Sequence, residues 1–489
     1  MAFVSNFCRI SLLVVAAVLA TGCSTSGKAT SAPLASQGPR VQAWLTTGDR
    51  TRLLALDEGA TLGPGATLAL NIDVDATIRY QTIVGFGASL TDASAWLIQH
   101  RLNEGQRTAL MQELHGRSGN GVGFSFTRLT IGASDFSRNH YSLDDRPGGG
   151  SDETLAHFSI DANRNDVIPV IQRALAVNSD LKVMASPWSA PAWMKSTGSL
   201  IKGTLKADMY GAFADYLVHY VDAYAAEGVP IFALTVQNEP HFEPDDYPGM
   251  RLDPGMRSRL VGQFLGPRLA QRGLGTQIIE WDHNWDELAS PLAVLSDPVA
   301  NRYVSGVGWH CYASEALLPN QSLVHQAFPD KEVWATECSG GAWKPHWAET
   351  LPWMVRNIVI GSTRHWARGV LMWNLALDEN SGPHLGGCRD CRGVVTINSA
   401  TGEVTRNLEY YALAHASKFV RPGAQRIDST AELEDLQTVA FRNADDGSIA
   451  LIVCNSASTE RRFSTRSGGQ RFVYTLPRES VVTFVWKPE

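Results

Sequence analysis

From about residue 81 the chain alternates short strand-like segments with longer helix-like ones, and this alternation constrains the fold more than any other feature. Helical stretches such as 108–116 and 209–228 repeat apolar residues at intervals of three and four, the spacing of a helix packed on one face. Between them lie eight apolar runs that end in polar or Gly-rich residues: QTIVGFGASL, GFSFTRLTIG, LKVMASPW, IFALTVQNEP, TQIIEWDHN, VSGVGWHCY, KEVWATE and GVLMWNLAL. Eight such units predict an α/β fold, a (β/α)8 barrel over residues 81–420.

The residue pattern changes from strand–helix alternation to β-like segments after the predicted barrel. Residues 421–489 are short β-like segments divided by Asn, Asp, Gly and Ser turns, without a helical pattern. Residues 41–80, which precede the barrel, are similarly β-like. We therefore expect a small antiparallel β domain at the end of the chain, with 41–80 supplying strands to it, so that the two chain ends meet.

The amino-terminal residues have the pattern of an export signal. In residues 1–22 a short apolar run follows a single Arg, which predicts a signal peptide, because the run is too short to span a membrane. The segment Leu19–Cys23 resembles a bacterial lipoprotein signal, in which Cys23 is lipidated. Ala20 stands where such signals usually carry Leu, so ordinary secretion is the alternative. Residues 23–40 are then expected to form a flexible linker. We expect the protein to be exported, as a cell-envelope lipoprotein of the outer membrane or periplasm. Its contact with the membrane would be through that lipid only.

Export changes the interpretation of the remaining cysteines. Cys388 and Cys391 are the only close pair, and a zinc site would need two further ligands although no second CxxC exists. In an oxidising compartment the pair predicts a local disulfide. Cys311, Cys338 and Cys454 are expected to be small buried hydrophobes, with a Cys311–Cys338 bridge left open.

Composition limits the classes of function. A formal net charge of −7 disfavours nucleic acid as a partner, because phosphate binding requires a basic surface. Hydrophobic content of 44% and charged content of 19% are those of an ordinary folded protein with ample core. The chain has 14 Trp residues, and several stand beside polar strand ends, where a flat apolar ring can stack on a sugar.

Two glutamates end predicted strands of the barrel. Glu239 follows the fourth strand and Glu337 ends the seventh, so both are expected at the mouth, where barrel loops build active sites. A facing pair of carboxyl groups suggests the acid and the nucleophile of a glycosidase. The separation that distinguishes retaining from inverting enzymes is not set by the sequence. The pKa of the acid is expected to be raised by the neighbouring carboxylate and by apolar surroundings.

Other polar strand ends support this interpretation. Arg128 and Tyr312 are placed to keep Glu337 ionised by charge pairing and hydrogen bonding. Asn238 is placed to bond the 2-hydroxyl of a sugar, a contact that strengthens in the transition state.

The same strand ends give little reason to expect a metal. The polar run 282–284 with His310 and Glu337 has no HExxH motif and no tight ligand spacing. We therefore expect no metal and no cofactor.

Eight blocks, in order along the chain, resemble glycoside hydrolase family 30, the family of glucosylceramidase (acid β-glucosidase). They are VGFGASLTDA, RLTIGASDFS, ASPWSAPAWMKSTG, LTVQNEP, GWHCYAS, WATECSGG, WNLALDENSGP and HASKFVRPGAQRI. The resemblance implies a retaining β-glycosidase whose β-sandwich side domain is built from both chain ends. It implies that Glu239 is the acid/base and Glu337 the nucleophile. The residues that it places on the substrate are Asp92, Trp188, Asn238, Tyr312 and Trp373, and those supporting the nucleophile are Arg128 and His310.

One departure affects the expected substrate. After WNLALDENSGP the chain runs HLGGCRDCRGVVTI, whereas the lysosomal enzymes have a cysteine-free loop there. We rank a glucosylceramidase-like β-glucosidase first and an endo-β-1,6-glucanase, or another β-glycosidase of the family, second. The partner is thus a β-linked glucoside, glucan or glycolipid. A non-catalytic carbohydrate-binding lipoprotein is the alternative from another class, and Asp92 has the alternative of a helix cap.

Overall fold

The structure is a computed structural model, and it describes residues 40–488. The predicted signal peptide, Cys23 and all of the predicted linker except Arg40 lie outside the described residues, so they stay predictions. No helix within 40–488 has the length and apolar character needed to cross a membrane.

The strands are numbered in chain order. They are β1 (Arg40–Thr46), β2 (Ala55–Thr61), β3 (Asn71–Thr82), β4 (Gly85–Ser89), β5 (Phe126–Ile131), β6 (Lys182–Pro187), β7 (Ile231–Thr235), β8 (Gln277–Asn284), β9 (Val304–His310), β10 (Glu332–Glu337), β11 (Gly340–Gly341), β12 (Ala367–Asn374), β13 (Ala376–Leu377), β14 (Cys391–Arg392), β15 (Val395–Ile397), β16 (Val404–Arg406), β17 (Gln425–Ser429), β18 (Glu432–Leu433), β19 (Leu436–Arg442), β20 (Ile449–Asn455), β21 (Arg461–Ser467), β22 (Gln470–Leu476) and β23 (Ser480–Trp486).

The α-helices are α1 (Asp92–Arg101), α2 (Glu104–His115), α3 (Asp161–Arg164), α4 (Val167–Val177), α5 (Tyr210–Ala226), α6 (Pro254–Arg259), α7 (Gly266–Gln271), α8 (Ala289–Leu295), α9 (Pro298–Asn301), α10 (Asn320–Ala327), α11 (Trp347–Met354), α12 (Ser362–Arg364) and α13 (Leu408–Ser417). Short 3-10 turns cover Ala192–Met194 and Glu315–Leu317, and π-helical turns at Leu260–Leu265 and Val355–Gly361 join α6 to α7 and α11 to α12. Local sequence sets several helix starts. For example, Asn103 and Gln106 form a capping box at the start of α2.

Eight parallel strands form the predicted barrel. Their order is β4-β12-β10-β9-β8-β7-β6-β5, and β4 approaches β5 through the hydrogen bond from Leu90 N to Arg128 O at 2.9 Å. The barrel interior is filled by apolar side chains from six of the eight strands: Phe126, Met184, Ala233, Ile279, Trp334 and Leu371. Since side chains two residues apart on a strand share a face, Arg128 lies directly above Phe126, on the carboxyl-end side of this layer.

The two chain ends meet in one side domain, as the sequence predicted. Strands β1, β2 and β3 join β17–β23 in a ten-stranded sheet of order β2-β1-β23-β20-β19-β17-β3-β21-β22, with β18 paired to β19. This sandwich packs on the barrel through α13, where His415 lies between the hydroxyls of Thr46 and Thr483, at 2.8 and 2.9 Å. The barrel and the sandwich are thus joined by packed side chains as well as by the chain.

Candidate active site

Glu337 ends β10 at the carboxyl end of the barrel and is hydrogen-bonded through both carboxylate oxygens. Arg128 Nη1 donates to Oε2 at 2.5 Å, and the Tyr312 hydroxyl donates to Oε1 at 3.0 Å. Two donors on a carboxylate that is only 6% exposed hold its orientation. Glu337 therefore presents a fixed oxygen to the barrel mouth.

Arg128 is the centre of the polar network beneath this carboxylate. Its guanidinium is fully buried and also donates to Asn238 Oδ1 and to Asp282 Oδ2, both at 2.7 Å. Its Nε donates to the hydroxyl of Ser186 at 3.1 Å. Because a buried guanidinium is stable only when paired, Arg128 joins four strand ends at one point.

A bulge in β8 places the second glutamate. Trp281 and Asp282 have φ values of 72° and 55°, and the pairing of β8 with β9 shifts register between Trp281 and His283. Positive φ is costly for side chains other than glycine, so the neighbouring contacts hold these two residues in place. The carbonyl of Asp282 accepts from the backbone N of Glu239 at 3.0 Å, where Glu239 itself has φ of 47°. The bulge thus fixes the backbone of Glu239 at the barrel mouth.

His310 links Glu239 to the network. Its Nδ1 lies 3.1 Å from Glu239 Oε1, and its Nε2 lies 3.0 Å from Asp282 Oδ1. Burial lowers the pKa of His310, but the charge of Glu337 and the hydrogen bonds to Asp282 and Glu239 outweigh it and raise the pKa to about 9. At neutral pH His310 is therefore a cation that donates to two carboxylates.

Glu239 and Glu337 lie close enough to act on one bond. One oxygen of each, together with a ring nitrogen of His310, lie within 4.8 Å of one another. Burial and the negative charges of Glu239 and Asp282 raise the pKa of Glu337. The positive charges of His310 and Arg128 lower it, but by less, so the pKa is raised overall. The pKa of Glu239 is lowered. Burial alone would raise it, but the hydrogen bond from His310 and the positive charges of His283, His310 and Arg128 together outweigh burial. The sequence predicted a raised pKa for the acid, and the structure corrects this to a lowered pKa for Glu239. The reason is the cationic His310 beside this carboxylate, a contact that the sequence does not reveal.

Two tryptophans form the aromatic part of the site. Trp188 and Trp373 stack with ring centroids 5.0 Å apart, and the guanidinium of Arg128 lies 4.8 Å from the centre of the Trp188 ring. Both rings are buried, and of the two Trp373 lines the pocket at the barrel mouth. Trp188 thus packs against both Trp373 and Arg128.

The pocket at the barrel mouth has a volume of about 630 Å3, which suits a small saccharide. Of the residues predicted from the sequence, Glu239, Glu337, Tyr312 and Trp373 line it, and Arg128, His310, Asn238 and Trp188 lie in the buried shell around them. Residues that were not predicted also line it: Asp135, Phe242, Pro244, Asp245, Asp246, Tyr247, Trp343 and Gly387, with Cys388 and Cys391.

Asp92 is not among the residues that line this pocket, and its predicted contact with the substrate stays a prediction. Its carboxylate accepts from Arg138 Nε and Nη2, at 2.9 and 3.0 Å, and from the Arg138 backbone N. Asp135 does line the pocket, and its pKa is raised well above its ordinary value by burial and by the charges of Glu337 and Glu239. Its place at the end of the second strand was the signal available in the sequence.

Two disulfides flank the pocket. Cys388 and Cys391, the pair singled out in the sequence, are joined and lie in the pocket wall. Cys311 and Cys338 also form a disulfide, the bridge that the sequence left open. This bond joins the end of β9 to the end of β10 beside Glu337. Cys454 is buried and has a free thiol. The disulfides thus brace the loops that carry the site.

The side chains of Glu239, His310 and Glu337 are also close enough to hold a metal ion. Both ring nitrogens of His310 are already bonded to carboxylates, and Arg128 is bonded to Glu337. The cluster therefore already contains two cations facing its carboxylates, which is the arrangement of an ion-pair network rather than of a set of free ligands.

Comparison with known families agrees with this architecture. Residues 83–420 match the "Glycosyl hydrolase family 30 TIM-barrel domain" and residues 423–484 the "Glycosyl hydrolase family 30 beta sandwich domain". The chain belongs to glycosyl hydrolase family 30. It is a retaining β-glycosidase, and this membership favours an enzyme over the non-catalytic carbohydrate-binding alternative.

Similar proteins include endo-1,6-glucanases and glucosylceramidases. An endo-1,6-beta-D-glucanase of Neurospora crassa is 35% identical over 440 residues, 87% of this chain and 89% of the relative. The lysosomal acid glucosylceramidase of Mus musculus is 29% identical over 467 residues, 90% of this chain and 87% of the relative. A solved endo-β1,6-glucanase superimposes with a TM-score of 0.85 and 31% identity, over 92% of this chain and all of the other.

Proposed function

We propose that this retaining β-glycosidase hydrolyses β-1,6-linked glucan, with Glu337 as the nucleophile and Glu239 as the acid/base. The observation that carries the residue roles is the separation of the two carboxyl groups, whose oxygens approach within 4.8 Å. Retaining enzymes hold the pair about 5 Å apart, whereas inverting enzymes need a wider gap to admit water. The fixed orientation of Glu337 makes it the group that bonds the sugar.

In the first step a Glu337 oxygen attacks the anomeric carbon while Glu239 protonates the departing oxygen. Glu239 must carry a proton for this, and His310 Nδ1 is the donor at 3.1 Å that can supply it. After that transfer the neutral imidazole still donates from Nε2 to Asp282. A proton held on His310 thus reconciles the lowered pKa of Glu239 with its role as an acid.

In the second step Glu239 is the base that activates water, which releases the sugar from Glu337. Asn238 accepts from Arg128 through Oδ1, which leaves its Nδ2 to donate to the 2-hydroxyl of the sugar. Asp135 and Trp373 line the pocket, where they are placed to bond hydroxyl groups and to pack against the sugar ring.

The substrate proposal reverses the order expected from the sequence. Three relatives named as endo-1,6-glucanases are 34–35% identical to the chain, whereas the mouse glucosylceramidase is 29% identical. The pocket wall also carries half-exposed aromatic rings, Phe242 and Trp343, which suit the flat faces of sugars. Glucosylceramide is the second candidate, since glucosylceramidases cover a similar share of the chain.

A substrate panel tests the proposal. The purified protein should release glucose or gentiobiose from β-1,6-glucan with a kcat/KM at least about tenfold above that for glucosylceramide in detergent. Aryl β-glucoside and aryl β-xyloside complete the panel. Preference for glucosylceramide or the xyloside would replace the glucan proposal and leave the reaction type unchanged.

We also propose that the protein is exported and anchored through a lipid on Cys23. The support is the sequence pattern of residues 1–23, together with two disulfides, which persist in oxidising compartments. Fractionation of cells that express the full chain, with a labelled fatty acid, is the test. Label that is lost in Cys23→Ser supports the anchor, whereas soluble, unlabelled wild-type protein in the periplasm or medium would indicate ordinary secretion.

A further inference from the structure

Lys195 is a buried lysine that the proposed mechanism does not use. It follows the 3-10 turn Ala192–Met194 and has no exposed surface. Its Nζ donates to the hydroxyl of Ser189 at 2.8 Å and to the carbonyls of Leu200 and Gly249, both at 2.7 Å. All three bonds of the ammonium are therefore made to neutral oxygens of the protein.

Gly249 ends the segment that forms one wall of the active-site pocket. This segment, residues 240–249, directly follows Glu239 and contains no helix or strand. It contributes five residues to the pocket: Phe242, Pro244, Asp245, Asp246 and Tyr247. A wall without its own ladder of backbone bonds depends on contacts to its neighbours.

Those contacts run to the segment that follows Lys195. Gly249 N donates to Leu200 O at 3.0 Å, and Arg251 N donates to Gly203 O at 2.8 Å. Gly203 N in turn donates to Glu243 Oε1 at 2.9 Å. Lys195 lies at the centre of this junction, because its ammonium bonds one carbonyl from each of the two segments.

Lys195 places an ammonium group in a fully buried position where its hydrogen-bond partners are neutral oxygens. Burial lowers its pKa to about 7, with the charge of Glu243 acting in the opposite direction. Burying an ammonium costs free energy that an apolar side chain of the same length would not. The three short bonds account for the presence of a lysine at this position.

We propose that Lys195 is a positioning residue that holds segment 240–249 as the wall against which the sugar beyond the scissile bond lies. It sets the affinity for oligosaccharide substrates and not the rate of the chemical step. This proposal rests on the proposed function, because it requires that the pocket binds a glycan.

The test compares Lys195→Met with Lys331→Met. Lys331 is also buried and also donates to a backbone carbonyl, Asn301 O at 2.9 Å, but it lies at the amino end of β10, away from the pocket. In Lys195→Met, KM for a gentio-oligosaccharide should rise on the order of tenfold, with kcat within about twofold of wild type. Lys331→Met should leave both constants unchanged, although it too loses a bond to a backbone carbonyl, together with an ion pair to Asp330.

Hydrogen exchange gives a readout that is independent of activity. The amides of 240–251 should exchange faster in Lys195→Met and stay at wild-type rates in Lys331→Met. Lys195→Gln keeps a shorter donor and serves where the methionine variant does not fold, with a smaller change in the same direction. Unchanged KM and exchange in the Lys195 variants, or the same KM change in Lys331→Met, would overturn the proposal. A wild-type protein that is inactive on β-1,6-glucan would instead refute the proposed substrate, and the exchange result would still decide the role of Lys195.

Discussion

Arg128 Nη1 lies 2.5 Å from Glu337 Oε2, and the same guanidinium donates to Asp282 at 2.7 Å. One buried cation thus faces the proposed nucleophile and a carboxylate that takes no direct part in the reaction. Asp282 is the counter-charge that keeps the network near neutrality, and burial of Arg128 makes each of these bonds strong. The relationship explains why the site depends on residues that never touch the substrate.

Removal of Arg128 should therefore reduce both activity and stability. In Arg128→Met, the carboxylates of Glu337 and Asp282 lose their shared cation, and we expect the free energy of unfolding to fall by about 3–5 kcal/mol. The measurement is urea unfolding together with kcat/KM on an aryl β-glucoside. Arg138→Met, at a salt bridge outside the pocket, is the control for loss of a paired arginine. Full activity in Arg128→Met would contradict the network.

Glu337→Gln should abolish turnover without loss of folding. The amide cannot form the glycosyl intermediate, so kcat should fall by at least about three orders of magnitude on every substrate. Calorimetric binding of gentiobiose should remain. Glu349→Gln, at an exposed position of α11, is the control and should match wild type. Wild-type rates in Glu337→Gln would show that another group bonds the sugar.

Glu239→Ala should slow substrates according to their leaving group. Poor leaving groups need the proton of Glu239, whereas activated aryl leaving groups depart without it. For the latter, added azide should restore rate and yield a β-glycosyl azide, which chromatography detects. Equal losses for good and poor leaving groups, with no rescue by azide, would argue against the acid/base role.

His310 should give the protein a pH-dependent stability. Its folded-state pKa of about 9 lies above the ordinary value of 6.5, so the protonated form stabilises the fold. This contribution is complete below pH 6.5 and is lost as pH rises through 9. The gap in unfolding free energy between wild type and His310→Asn should be larger at pH 6 than at pH 10 by on the order of 3 kcal/mol.

The control for that measurement is His415→Asn, because burial lowers the pKa of His415 to about 3, so its gap should not shrink from pH 6 to pH 10. A gap for His310→Asn that is constant from pH 6 to pH 10 would mean that the histidine is not the cation inferred here.

Asp135 and Asp92 provide a matched pair of carboxylates. Asp135→Asn should raise KM or lower kcat on glucosides by about tenfold, because its carboxyl lines the pocket. Asp92→Asn breaks the pair with Arg138 and should lower thermal stability while leaving KM near wild type. Kinetics and a melting curve on the two variants decide between them. A large KM effect in Asp92→Asn alone would support the substrate contact that the sequence predicts for Asp92.

The fold was predictable because it depends on patterns that are local in the chain. Strand–helix alternation from residue 81 requires only the spacing of apolar residues, and the barrel follows from eight repeats. Glu239 and Glu337 were identified because strand ends in such a barrel meet at one mouth. The ion pair of Asp92 with Arg138 was not predicted, because a strand-end position does not show which partner a carboxylate takes.

The sequence by itself determined the barrel, the meeting of the chain ends in a β domain, and the two carboxyl groups at the barrel mouth. Only the tertiary structure decided how these groups are charged. Residues far apart in sequence, His310 and Glu239, Arg128 and Glu337, Lys195 and Gly249, come within hydrogen-bond distance there. A pKa depends on the charges and burial within a few ångströms, and those distances exist only after folding.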